Sequence, residues 1–197
     1  MKTFKLLFLI SIFIGLFAGC ENEEQLLQDE VELKSAQPHD VTVPFEATLL
    51  GELISFDMED TECVGEGYMG RTIVDAKGNA THMGKVSLTF NFCAGGPPDP
   101  NVDGSYMTYS SGTSELMAAN GDVLNLFFPG GSVMEGKLDH HPDHVYDYWG
   151  GKIIVLGGTG RFEGATGELT EDDYSSSLDD YTHHRFYGVI TLLKGKK

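Results

Sequence analysis

From residue 43 onward, apolar and polar residues alternate along the chain at period two. In Lys85–Phe92, the residues Val86, Leu88, Phe90 and Phe92 fall on one face. Lys85, Ser87, Thr89 and Asn91 fall on the other, which is the pattern of a half-buried strand. Asn120-Gly121 stands between the strand-like runs Thr113–Ala119 and Asp122–Phe128 and predicts a hairpin there. Further strands are predicted at Phe45–Asp57, Val64–Val74, Tyr148–Leu156, Thr166–Tyr174 and Arg185–Leu193. Several carry apolar residues on both faces, as Phe186, Tyr187, Val189, Ile190, Leu192 and Leu193 do in the last. No window beyond residue 42 has the period of a long amphipathic helix. About eight strands, joined by short glycine-bearing connections and without helices to cover a parallel sheet, predict an all-β antiparallel barrel or sandwich. Apolar residues on both faces favour the barrel.

The first 42 residues follow different rules. Lys2 and Lys5 precede an almost unbroken apolar run from Leu6 to Ala18, too short to span a bilayer as a permanent helix. The segment Leu16-Phe17-Ala18-Gly19-Cys20 resembles a bacterial lipobox, with Phe17 where such motifs usually carry leucine. The resemblance implies a signal peptide over residues 1–19, lipidation (palmitate) of Cys20 and attachment to a bacterial outer membrane or cell surface. From Glu21 to about Thr42 the chain is acidic, with Glu21, Glu23, Glu24, Asp29, Glu30 and Glu32 against a single Lys34. Such a segment has little apolar surface to bury and reads as a tether, residues 20–42, of about 25 Å r.m.s. reach. The cluster Glu21-Asn22-Glu23-Glu24 also resembles the acidic export signals of some surface lipoproteins, and an ordinary solvated linker explains it equally well. A short helix over residues 26–33 has weak support. The barrel domain is then residues 43–197.

Composition narrows the class of partner. Cleavage before Cys20 leaves 178 of the 197 residues, enough for one domain with a sizeable core, and moves the formal net charge from −17 to −19. A chain this acidic repels nucleic acid backbones and anionic headgroups, so no nucleic acid partner is expected. The 25 glycines exceed the ~7% average usage and argue for many tight turns. With Cys20 assigned to lipid, Cys63 and Cys93 remain as an even pair in an oxidising compartment, where a disulfide is the default. Zinc ligation is the rival reading, although neither cysteine has a close cysteine or histidine partner in sequence.

The run Gly157-Gly158-Thr159-Gly160-Arg161-Phe162-Glu163-Gly164-Ala165-Thr166-Gly167 invites a phosphate-loop reading, which fails. It lacks the terminal Gly-Lys-Ser/Thr, and Glu163 occupies the place of the third glycine of a dinucleotide fingerprint. Its glycines suit a sharp corner between strands, with Phe162 free to plug a barrel end. The corner, defined by Gly157, Gly158, Gly160, Arg161, Phe162, Gly164 and Gly167, resembles that of bacterial proteins with an allene oxide cyclase-like (dirigent-like) barrel. Residues 79–85 and 119–122 agree in order. The resemblance implies an eight-stranded antiparallel barrel of calycin type with a central cavity. It transfers no catalytic residue and therefore no activity.

Three further groups carry candidate chemistry. Asp99, Asn101 and Asp103, with Gly104 at the sixth position, match the first half of a calcium loop, but Ser110 stands where the bidentate glutamate would be. His140, His141 and His144 lie close together and suit zinc or copper, while Pro142 makes the segment a loop. For both, an exposed polar turn is the alternative, and no cofactor is the default expectation. Tyr146, Tyr148, Trp149 and Phe186 are candidates to line a cavity for a small hydrophobic or aromatic ligand. No serine–histidine–acid arrangement can be argued. The sequence supports a lipid-anchored binding or structural barrel, with a cyclase- or isomerase-type enzyme as the alternative.

Overall fold

Alternation at period two has the expected outcome: the chain folds into antiparallel strands whose inward residues make one core. The protein is described from a computed structural model, which covers residues 40–193. The lipobox, Cys20 and most of the tether therefore lie outside the described residues. The strands are β1 Val41–Asp57, β2 Gly70–Ala80, β3 Gly84–Gly96, β4 Ser105–Tyr109, β5 Gly112–Ala118, β6 Val123–Phe128, β7 Gly131–Glu135, β8 Val145–Gly158, β9 Thr166–Ser176 and β10 Thr182–Leu192. β1 starts at Val41, so the last two residues assigned to the tether already belong to the sheet.

The ladders close into a ring. At one end the order is β1, β2, β3, β5, β6, β8, β9, β10 and back to β1; at the other, β4 and β7 replace β5 and β6 between β3 and β8. Eight strands thus surround the lumen at either level, and every pairing is antiparallel. The fold is a closed eight-stranded antiparallel barrel. Two of its staves are broken, at Ser110-Ser111 and at Pro129-Gly130. Proline supplies no ladder N–H, and Gly130 has φ +81°, so that stave cannot run straight through. At the first break the Ser110 hydroxyl accepts the Cys93 N–H at 2.9 Å, standing in for a missing backbone partner.

One end is plugged. Phe45, Ala47 and Leu49 of β1, Val86, Leu88 and Phe90 of β3, Leu124 and Leu126 of β6, and Phe186 and Ile190 of β10 share a single apolar core. The glycine-rich corner closes it: a 3-10 turn at Gly160–Phe162 drives Phe162 into the barrel end, fully buried. Gly160 has φ +59°, and a Cβ on Gly158 would collide with the Val123 carbonyl oxygen, so the corner needs glycine at both. The Arg161 guanidinium ties the corner to the β2–β3 turn by donating to the His82 carbonyl. The Asn120-Gly121 hairpin also forms, with only Gly121 in the left-handed region (φ +88°).

The run Val64–Val74 is not one strand. Thr61–Gly65 forms a short helix, α1, capped by Asp60, whose side chain accepts the Cys63 N–H at 2.9 Å. β2 begins only at Gly70, on the far side of a turn at Gly67 (φ +91°). A Cys63–Cys93 disulfide (Cα–Cα 5.3 Å) fastens α1 to the outside of β3, and both sulfurs are buried. At a sequence separation of 30, the crosslink is worth about 3–4 kcal/mol on the chain-entropy model. Replacing both cysteines by serine is expected to lower the unfolding free energy by roughly that amount in chemical denaturation. A loss under about 1 kcal/mol would show that α1 holds without it.

Candidate functional site

The unplugged half of the lumen is open. It forms a cavity of ≈ 780 Å³, inside the range of small-molecule sites. Its deep wall carries Phe90, Phe128, Tyr109 and Trp149, and its rim carries Leu53, Phe56, Tyr146, Leu178 and Tyr181.

Strand parity explains why carboxyl groups stand inside it. On β9, Leu169 points into the core, and the next inward positions are Glu171 and Asp173, only 7% and 0% exposed. On β10, His184 precedes inward Phe186, and on β8, Asp147 and Trp149 precede inward Ile153. Each strand thus turns from apolar to polar as it passes from the plug to the mouth. His184 is joined to Asp173 (Nδ1 to Oδ2, 2.5 Å) and to Thr182 (Nε2 to Oγ1, 2.8 Å). The Asp173 Oδ1 accepts the Arg185 N–H at 3.0 Å, and the Tyr109 hydroxyl donates to Glu171 Oε2 at 3.3 Å. Thr182 donates its own proton to the Gly51 carbonyl at 3.3 Å. That assignment makes His184 Nε2 the donor to Thr182 and leaves Nδ1 to accept a proton-bearing oxygen of Asp173.

The electrostatics agree with this assignment. Burial pushes both Glu171 and Asp173 well above the usual carboxylate range, and the closeness of the second acid, Asp173, adds to the effect on Glu171. Burial also holds His184 neutral, its pKa lowered to about 4. Tyr109 is pushed up by burial and then by Glu171. Burial of the two acids thus favours their protonated forms. Nearer the mouth, Asp147 is 8% exposed and its Oδ2 accepts the Tyr106 hydroxyl at 2.7 Å. Asp147 Oδ1 and Thr72 Oγ1 have no hydrogen-bond partner among the described residues.

Of the four predicted lining residues, Trp149 and Tyr146 border the cavity, Trp149 from the wall and Tyr146 from the rim. Phe186 lies beneath it, sealed in the core against Phe128 (centroids 5.6 Å apart). Tyr148 faces outward, because β8 sends Asp147 and Trp149 in; its ring packs against His141. No motif in the sequence singles out Tyr109, Asp147, Glu171 and Asp173, and His184 stands out only as one of the adjacent pair His183-His184. Their one signal was parity: Glu171 and Asp173 continue the face of Leu169.

The predicted metal groups are rearranged. His140 and His141 do converge, but on Asp172 of β9, with all three ligand atoms within 4.8 Å of one another; His144 instead meets the Ser176 hydroxyl at 3.0 Å. Asp172 accepts from His141 at 2.9 Å and from His140 at 3.0 Å. Because His141 Nδ1 accepts the Leu138 N–H (3.3 Å), its proton sits on Nε2, so a metal there would have to displace it. Asp99 caps its own turn, accepting the Asn101 N–H at 2.9 Å, and Asp103 is not gathered with it into a metal-binding cluster among the described residues.

No protein-family model and no curated protein matches the chain. Among solved structures it is similar to a pterocarpan synthase dirigent protein, at 10% identity and a TM-score of 0.48, covering 81% of this chain and 89% of that one.

The proton-holding cluster makes a prediction about stability. Groups with raised folded-state pKa values stabilise the fold at acid pH, and that contribution is lost as pH rises through those values. His184 acts in the opposite sense, losing stability as pH falls from 6.5 towards about 4. Glu171→Gln cannot ionise, so its melting temperature relative to the parent is expected to climb as pH rises through the range above the ordinary glutamate value of 4.5. An offset that stays flat across that range would contradict a protonated Glu171.

Proposed function

We propose that the protein is a lipid-anchored envelope barrel that takes a small, largely apolar or aromatic ligand into its open lumen. The observation that carries the ligand reading is the ≈ 780 Å³ cavity between aromatic walls. A structural barrel would have filled that volume with its own side chains, as the plugged half does. The anchor rests on the lipobox-like segment ending at Cys20. β1 starts at the plugged end of the barrel, and the mouth lies at the other end.

Native mass spectrometry of protein purified from its own cell is expected to show a stoichiometric small molecule. Ala94→Trp, which places an indole among the lining residues, is expected to remove it while leaving the melting transition in place. Repeated preparations without ligand would count against the reading. The buried Glu171–Asp173–His184 group supports a second reading, a cyclase or isomerase, because it keeps a proton beside an apolar space. In that case the captured molecule would be an isomerised product, and Glu171→Gln would hold the unconverted substrate in its place. The anchor has its own test: Cys20→Ala is expected to abolish incorporation of an alkyne fatty acid and to release the protein from membranes. Continued labelling of the variant would rule out Cys20 as the lipid site.

A further inference from the structure

The charge of the lumen selects among ligands, an inference that rests on the cavity reading above. Among the described residues four carboxyl side chains border the cavity, Asp147, Glu171, Asp179 and Asp180, and no lysine or arginine does. Asp173 stands fully buried, bonded to His184 of the cavity wall. An entering carboxylate or phosphate would meet no cation and would lose its hydration beside groups of its own sign. A ligand able to donate hydrogen bonds meets the reverse: the inward Asp147 carboxylate, nine-tenths buried, has an oxygen without a partner among the described residues, and on another strand of the lining the Thr72 hydroxyl has none either. An unpaired buried acceptor of that kind is costly, and a ligand N–H would remove the cost. The same cavity is lined by aromatic rings: Trp149, Tyr109, Phe90 and Phe92 can attract a cation and cover an apolar body.

We infer that the lumen takes an organic cation, an aromatic or otherwise apolar amine whose ammonium group sits against the Asp147 carboxylate and whose body lies on the aromatic wall. Anionic analogues are turned away, fatty acids and aromatic carboxylates among them. Neutral alcohols of the same shape bind, but less tightly. The chain's net charge of −17 acts in the same direction at longer range, drawing cations towards the mouth.

A matched series tests this on the full chain: 2-(1-naphthyl)ethylamine, 1-naphthaleneethanol and 1-naphthylacetate, measured by calorimetry. Trp149, the single tryptophan of the chain, gives a second readout through its environment at the wall. The uncharged dye Nile red reports whether the cavity admits any apolar molecule. The amine is expected to bind about tenfold tighter than the alcohol, and the acid not measurably. Asp147→Asn is expected to bring the amine down to the affinity of the alcohol while Nile red binding persists, which shows the lumen intact. If the acid binds as well as the amine, or if Asp147→Asn leaves the amine unaffected, the inference is overturned. Nile red binding with no preference for the amine overturns it alone and leaves the cavity reading standing. Failure of the dye and all three probes removes both.

Discussion

Closing a sheet on itself fixes the width of its lumen before any side chain is chosen. Here eight strands surround the lumen at both ends, so the circumference is much the same whether the interior is packed or not. In the plugged half, Phe162, Phe186 and a set of leucines fill it. In the other half the inward positions hold Gly51, Thr72, Ser114 and Ala94, residues too small to meet in the middle. The cavity is the difference between a circumference set by backbone hydrogen bonds and the volume those side chains supply. The glycine corner belongs to the same constraint, since a barrel end that is to stay shut needs something the width of a phenyl ring driven into it.

Closure also dictates the chemistry of whatever faces inward. A carboxyl group on an exposed strand is hydrated and acidic; on the inner face of β9 it is neither. Glu171 and Asp173 accommodate desolvation by holding protons, by bonding Tyr109, His184 and the Arg185 N–H, and by sharing their environment with a histidine kept neutral. Between the two acids on the same strand, the outward Asp172 shows the contrast. It is lowered from its ordinary value because the His141 and His140 hydrogen bonds outweigh a desolvation that opposes them. One strand therefore carries acids of opposite character on its two faces, divided by the pleat.

The barrel was legible because its evidence is repetitive. The face of Val86, Leu88 and Phe90 is the face that is buried, and the run from Gly157 to Gly167 does make the corner that turns Phe162 inward. The errors came where the chain breaks its own period. Cys63 is held in a capped helical turn by Asp60 and by the disulfide, a tertiary influence that no alternation in Val64–Val74 reveals. β4 and β7, of five residues each, are the ends of interrupted staves and carry too few positions to show a period. The lumen acids were readable in principle from the parity of Leu169, Glu171 and Asp173. In a chain with 30 acidic residues, though, nothing but the pleat distinguishes those two from the rest. Tyr148 and Trp149 make the same point: neighbours of equal aromatic character, one outside the wall and one inside it.

The two broken staves have a further consequence. Because β4 and β7 pair with each other and with β3 and β8, the mouth-side panel has its own ladder, separated from β5 and β6 by a two-residue gap on either stave. Changes in that panel need not propagate into the register of the plugged half. The wall around the mouth can be re-upholstered through the two separate segments β4 and β7 while the sealed end stays as it is.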